Sequence, residues 1–515
     1  MEYFWRAKSG MKTPSDDLFR LIKSLDTQEK VYFKQFAARK GEHSNYVLLF
    51  DAIDGQNEYD EGMVRKSLKN EAFIKNLKQA KSYASEAILR SLQEYHSATS
   101  AGALLGNNIQ QVEILVRKRL FGIAMKLIQK SEKIARENHK FYYLSILLSQ
   151  KRTVLTSQAD RQAISEYHET YYKEEVECFD LMRNHVEYIR LSMLIIRDSF
   201  TNYVIQDQKK NELRELLREP LLQDEKYALS LPAKIQFHRN LGNIHALLGN
   251  KENSIPHYSA IVRLMEENPL MLYSQIKSYL MGINNLMVLL KDLKSFREHN
   301  EHFEKAKGFI DGLPKKMLTN SVIEVFMMIY TNYISYLLDS LNIEKGIRMS
   351  EEISPSVRKH FAEGSYLVFN INLFLLYFYY GDYRKALRQL HHIEQSPGPA
   401  VMQDIFDQVR IFSMITHYEL GNLNLLPALC KSAERYLSKN RDITRTEILL
   451  LRFFKRAKAL QGTKERVIAF TELKQELRPA LEKEDQFREF DLLSWCESKI
   501  QGKAFLEVVR EKKGL

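Results

Sequence analysis

A turn signal that returns about every forty residues constrains the fold of this chain more than any other feature. Its clearest copy is Tyr380–Leu387, with the sequence YGDYRKAL, and Leu420–Leu423, with the sequence LGNL, follows 40 residues later. Gly462 and Gly502 continue the series, and Leu248–Asn250 opens the same kind of step upstream. A period of this length is typical of stacked helical hairpins, each of which buries its apolar face against the next. The sequence therefore predicts a solenoid and not one globular core.

Composition favours an all-α fold. Only 20 of the 515 residues are Gly and 11 are Pro, well below average usage of roughly 7% and 5%. These are the two residues that helix interiors tolerate least. Hydrophobic residues make up 44% of the chain and charged residues 27%, which is typical of a folded chain and not of a disordered one. A chain of this length exceeds a single ordinary core, so a repeat array or several domains are expected.

The first hundred residues lack the repeat and predict a separate helical domain. Predicted helix starts lie near Asp16, Thr27, Asn45, Asp60 and Ala72. Thr27 is the predicted N-cap of the second helix, and the last helix is expected to run to Tyr95 with Tyr83 on its apolar stripe. The sequence thus predicts an N-terminal helical domain over 1–100 and a helical repeat array over 101–515.

The repeats resemble the tetratricopeptide repeat (TPR) family. The residues that carry the resemblance are Gly242, His245, Gly249 and Tyr258 in one unit, and Leu373, Tyr377, Gly381, Tyr383 and Ala386 in another. The resemblance implies an all-α fold in which a TPR-like α-α superhelix follows a small helical N-terminal domain. Two features depart from the family pattern: Phe374 occupies a slot that usually holds a small residue, and the period exceeds the usual value of about 34 residues. As a whole, the chain resembles bacterial TPR-type proteins of unassigned activity that carry a helical N-terminal domain.

A set of asparagines occupies one slot in the predicted first helices of the repeats. The residues nine positions before three of the predicted turns are Asn240, Asn332 and Asn372. Asn284 and Asn285 lie near the same level, six or seven residues before a turn predicted at Lys291. In peptide-binding members of the family, such amides hold the backbone of the ligand, and an amide both donates and accepts hydrogen bonds. The resemblance therefore predicts a candidate peptide groove, while the alternative is that these amides hydrogen-bond between neighbouring helices.

Signatures of catalysis are not found in the sequence. It contains no phosphate-binding loop, no dinucleotide-binding glycine run, no HExxH and no GxSxG motif. Glu298 and His302 would share a helical face, but two ligands do not make a metal site, and a solvated helix face is favoured. We therefore expect a protein that is not an enzyme and uses no cofactor or metal. The three cysteines are far apart, which favours a reducing cytoplasmic location over a disulfide framework.

Charge and hydropathy bear on the expected partner. The net charge is +11, and residues 101–140 hold eight basic against three acidic side chains, including Lys126, Lys130 and Lys133 at helical spacing. The most apolar segment, 366–380, is interrupted by asparagines and falls short of a membrane span. We expect a cytoplasmic scaffold that binds a protein segment or peptide, with no membrane partner. The alternative is a peptide-responsive regulator that contacts DNA or RNA through its N-terminal domain or basic patches.

Overall fold

The fold of the chain is all-α, as predicted. A computed structural model describes residues 15–514 apart from 40–44, 98–99, 159–160, 198–206, 354–362, 397–401, 461, 484–486 and 488–489. The chain is 83% helix, and no strand occurs among the residues described. Consecutive helices pack in antiparallel fashion, which is consistent with a repeat arrangement.

The chain divides into two compact units, 1–179 and 180–515. The helices that lie in the first unit are α1 (Asp17–Ser24), α2 (Thr27–Arg39), α3 (Asn45–Asp54), α4 (Glu61–Ser67), α5 (Leu77–Tyr95), α6 (Ala101–Arg117), α7 (Phe121–Glu137), α8 (Phe141–Ser157) and α9 (Arg161–Glu166). Helix α10 (Tyr172–Ile196) contains the boundary. The domain division predicted at residue 100 stays a prediction.

The second unit continues with α11 (Asp207–Leu216), α12 (Leu231–Leu247), α13 (Lys251–Glu266), α14 (Pro269–Ser274), α15 (Ile276–Asp292), α16 (Phe296–Asp311), α17 (Asn320–Asp339), α18 (Ile343–Glu352), α19 (Glu363–Tyr380) and α20 (Tyr383–Glu394). It ends with α21 (Gln403–Glu419), α22 (Leu426–Asn440), α23 (Arg445–Arg456), α24 (Thr463–Leu481), α25 (Leu492–Gln501) and α26 (Phe505–Lys513). One continuous hydrophobic core runs from Ile235 to Val509. Each helical pair therefore buries apolar surface against its neighbours, as a helical array requires.

The helices at the start of the chain begin where the sequence predicts, with two differences. Asp26, and not Thr27, caps α2: the Glu29 amide donates to its carboxylate at 2.8 Å, and the Glu29 carboxylate accepts from the Asp26 amide at 2.9 Å. The predicted helix from Ala72 starts as a 3-10 turn over Ala72–Asn76 before α5 begins. Tyr83 is 48% exposed, so the buried stripe of α5 does not include it.

One turn motif ends eight of the described helices. A residue one or two positions after the end of each helix has a positive φ: Gly249, Gly381, Gly421 and Gly502, and also Arg119, His139, Lys294 and Leu341. The next amide then donates to a carbonyl five residues earlier, as from Asp382 to Tyr377 at 2.9 Å and from Ser295 to Leu290 at 2.9 Å. This is the Schellman arrangement, which satisfies carbonyls at the end of a helix.

Two of the predicted turns lie elsewhere. The turn expected at Lys291 has its positive φ, 58°, at Lys294. Gly462 is not a turn of this type, because its φ is −83° and it stands at the N-cap of α24. A lysine at a left-handed position gives no signal in the sequence, so the sequence pattern predicted this turn three residues too early.

We expect opposite effects from two substitutions at these turns. Gly381→Ala should lower the free energy of unfolding by about 1 kcal/mol, because alanine is strained at a φ of +87° and the added Cβ meets no other atom within 4 Å. Lys294→Gly should raise it by up to about 1 kcal/mol, since the exposed side chain is removed from a strained backbone. Urea unfolding of the two variants checks this; two changes of the same sign would contradict it.

Helix α17 is strongly apolar. It is 20 residues long and has a mean hydropathy of 1.3 over its best window, so among the residues described it alone has the length and composition of a membrane span. Of that window, 56% is buried within the protein. Val325, Ile329 and Ile334 of α17 belong to the continuous core of the second unit. We therefore treat α17 as a core helix.

Candidate functional site

The positive-φ turns define one asparagine slot in four consecutive first helices, α12, α15, α17 and α19. Counting back nine residues from the turn residues at 249, 294, 341 and 381 reaches Asn240, Asn285, Asn332 and Asn372. The sequence pattern predicted three of these. It did not assign Asn285 to the slot, because the turn was predicted at Lys291 and lies at Lys294. A turn assigned from backbone geometry was needed to find the fourth.

The asparagine side chains hydrogen-bond from helix to helix. Asn372 Nδ2 donates to the carbonyl of Thr331 at 3.3 Å, and Asn332 Nδ2 lies 3.5 Å from the carbonyl of Asn284. In both cases the acceptor immediately precedes the asparagine of the previous first helix. A helical carbonyl has a second lone pair that can accept such a bond. The amides therefore tie α15, α17 and α19 together in a fixed register.

Asn240 makes the most complete set of contacts. It has no exposed surface; its Nδ2 donates to the carbonyl of Tyr188 at 2.9 Å, and its Oδ1 accepts from the Ser192 hydroxyl at 2.6 Å. Asn240 thus joins α10 to α12 from within the core. Its predicted contact with a peptide stays a prediction.

Asn332 and Asn372 border an open pocket of about 280 Å³ between α15, α17 and α19. Two valines in its lining are exposed, Val288 at 42% and Val368 at 36%. Met328 adds a flexible apolar side chain. The pocket therefore combines amides that can bind a peptide backbone with apolar groups that can bind side chains.

A second pocket, of about 540 Å³, shares Lys291, Ser335 and Asn372 with the first. The Lys291 side chain already has partners within the protein. Its Nζ donates to the Ser335 hydroxyl at 2.7 Å and lies 3.6 Å from the Asp339 carboxylate. Residues near the C-terminus, including Phe490 and Val509, line the opposite side. The last helix, α26, thus forms part of the wall of this pocket.

The slot positions also identify the remaining side chains of this face. Residues four before, one before and three after each asparagine include the pocket residues Met328, Thr331, Ser335, Asn284, Val288 and Val368. We call this row of positions the asparagine face. In α12 the same positions hold Gln236, Arg239 and Asn243. The asparagine face is therefore apolar and amide-rich over α15–α19 and carries a cation at α12.

A histidine cluster lies beside this face and was not predicted as a unit. The Nδ1 atoms of His238 and His257 are 3.1 Å apart, His238 Nε2 is 3.1 Å from Glu225, and His245 stacks on His257. Burial lowers the pKa of His257 to about 4, so these rings are neutral near pH 7. We assign the cluster to the packing of α12 on α13.

The other residues considered from the sequence lie elsewhere. Glu298 is exposed on α16, and no group of three potential metal ligands occurs in the part of the chain that is described. Lys126, Lys130 and Lys133 are exposed on α7. Contact of these lysines with DNA or RNA stays a prediction.

Comparisons with known proteins add nothing to what these contacts show. Neither a protein-family model, nor a curated protein, nor a solved structure matches this chain.

Proposed function

We propose that this protein is a non-enzymatic cytoplasmic scaffold in which a TPR-like array binds an extended protein segment along the asparagine face. The proposal rests chiefly on the 280 Å³ pocket, where Asn332 and Asn372 lie beside exposed Val288 and Val368. Single exposed apolar residues are common on protein surfaces, whereas exposed apolar residues grouped in a groove with polar groups are typical of a binding site.

The chemistry of the pocket suits a peptide in extended conformation. An extended backbone presents unpaired N–H and C=O groups at regular spacing. Asn332 and Asn372 each use one amide hydrogen in the interhelical bond, which leaves a second amide hydrogen on each. Asn372 also keeps its Oδ1 atom, whereas Asn332 has a further side-chain contact with His299. Val288 and Val368 can bury an apolar side chain of the peptide, each at a gain of roughly 25 cal/mol per Å² of apolar surface removed from water.

A display selection with random dodecapeptides tests the proposal. We expect the immobilised protein to enrich a set of peptides, and Val368→Glu to weaken their binding at least tenfold, because it places a charge in the apolar part of the pocket. Fluorescence anisotropy with the enriched peptides measures the effect. Since Val368 is 36% exposed, the fold should accommodate the glutamate.

Ile448→Glu is the matched control. Ile448 is 43% exposed on α23 and does not line the pocket, so this variant should bind the enriched peptides as the wild type does. Equal loss in both variants would assign the effect to general damage. A selection that enriches no sequence above an unrelated helical protein would contradict the proposed function.

A further inference from the structure

Arg239 lies at one end of the asparagine face and is a cation that has no counterion among the described residues. It immediately precedes Asn240, the position that Asn284 and Thr331 hold in α15 and α17, where both line the pocket. Among the residues described, its one hydrogen bond is from Nη1 to the side-chain Oε1 of Gln236, at 3.4 Å. No carboxylate lies within 4 Å of the guanidinium in the described part of the chain, and the bond it makes is long.

The other groups near Arg239 do not neutralise it. Burial lowers the pKa of the guanidinium itself. Burial also lowers the pKa of His185 on α10, and the positive charge of Arg239 adds to this effect. Tyr258 supplies no negative charge, because burial raises its pKa to about 12 and its hydroxyl donates to Asn243 Oδ1 at 2.5 Å.

Two other half-buried cations of the second unit do have carboxylate partners. Lys291, in the pocket, lies 3.6 Å from Asp339. Arg441, which is also partly buried, contacts two carboxylates at 2.6 and 2.8 Å. A desolvated guanidinium without a partner is costly, and a ligand that supplies an anion recovers that cost on binding.

We propose that Arg239 anchors a carboxylate of the segment bound on the asparagine face. This inference rests on the proposed function and adds the partner's chemistry: an extended peptide with an acidic group on one side of an apolar residue. The planar guanidinium has several donors free for a bidentate contact with that carboxylate.

The spacing of the helices sets the distance between the two groups of the peptide. The apolar pocket begins one first helix beyond α12 and continues over the next. Helix α13 packs on both α12 and α15, and packed helices are about 8–10 Å apart, so α12 and α15 are separated by about 8–20 Å. An extended chain advances about 3.3 Å per residue. The carboxylate should therefore lie about three to six residues from the apolar side chain.

Fluorescent nonapeptide pools test the inference on the full chain. The central residue is Glu in one pool and Gln in the other, the remaining positions are random over Ala, Val, Leu, Ile, Ser and Asn, and each pool is made as a C-terminal acid and as an amide. We expect the wild type to bind the Glu amide pool at least tenfold more tightly than the Gln amide pool, because a charged hydrogen bond forms. Arg239→Gln should abolish that ratio, and Arg239→Lys should keep part of it.

Comparing the acid pools with the amide pools also identifies the source of the carboxylate. A preference for the Gln acid pool over the Gln amide pool, lost in Arg239→Gln, would support a terminal carboxylate at the same anchor. If the pools bind equally well and Val368→Glu weakens all of them, the Arg239 inference is wrong while the proposed function stands. If no pool binds, both are wrong. Circular dichroism confirms that the variants are folded, and Arg239→Lys decides the matter should Arg239→Gln not fold.

Discussion

Replacing Arg441 with Met is expected to lower the free energy of unfolding by about 3–5 kcal/mol. Arg441 follows α22, and its Nε donates to Asp407 at 2.8 Å while Nη1 and Nη2 donate to the two carboxylate oxygens of Glu447 at 2.9 and 2.6 Å. The side chains of Asp407 and Glu447 are 1% and 0% exposed. Without the guanidinium, these two buried carboxylates lose the cation that both of them contact.

Removing Arg441 should also affect contacts outside the ion pair, because Glu447 has a second role. Glu447 also accepts from the backbone amide of Thr444 at 2.9 Å, and this bond completes the capping box that starts α23. Because Asp407 is on α21, Arg441 links three consecutive helices. Its removal should therefore loosen the start of α23 as well as the contact with α21.

Urea unfolding at pH 7 measures the effect, with Arg435→Met as the control. Arg435 is exposed on α22, so its substitution should change the free energy of unfolding by less than about 0.5 kcal/mol. The triple variant Arg441→Met, Asp407→Asn, Glu447→Gln should recover part of the loss, because it removes the buried charges together. A loss below about 1 kcal/mol in Arg441→Met would show that the two carboxylates do not depend on the arginine.

The sequence contained most of the information on the helical class and little on the turns that lack glycine. Gly249, Gly381 and Gly421 indicated their turns in the sequence, because glycine adopts a positive φ without strain. Lys294 and Leu341 adopt the same conformation under tertiary constraint. Local propensity cannot reveal such positions, because the packing of the flanking helices enforces a backbone that the residue itself disfavours.

The candidate site was predictable in its residues and not in their surroundings. The spacing of Asn240, Asn332 and Asn372 from the turns was readable from the sequence. Their hydrogen bonds were not, because these bonds reach helices 40 or more residues away, such as the contact of Asn240 with Tyr188. Arg239 gave no signal in the sequence, because the absence of a carboxylate beside it among the described residues depends on helices that are distant along the chain.

The last helix, α26, is stabilised by a contact that connects distant parts of the second unit. Phe505 is 3% exposed and packs on Phe490, Phe378 and Tyr379, with ring centroids 5.4, 5.6 and 4.7 Å away. From the same helix, Lys513 Nζ donates to the carbonyl of Asp339 at 2.9 Å. The C-terminal residues thus supply donors to carbonyls at the end of α17, where no further helical amide is available.

Phe505→Ala is therefore expected to lower the free energy of unfolding by about 3–5 kcal/mol, the usual cost of removing a buried phenylalanine. Leu506→Ala, at a half-buried neighbour, should cost about 1 kcal/mol and serves as the control. Because Phe505 anchors α26, its loss should also release Lys513 from α17, and hydrogen exchange should accelerate first at the amides of α26 and then at Leu341 and Asn342. Exchange that accelerates evenly along the second unit would contradict this order, since it would mean that α26 is no more dependent on Phe505 than the rest of the array.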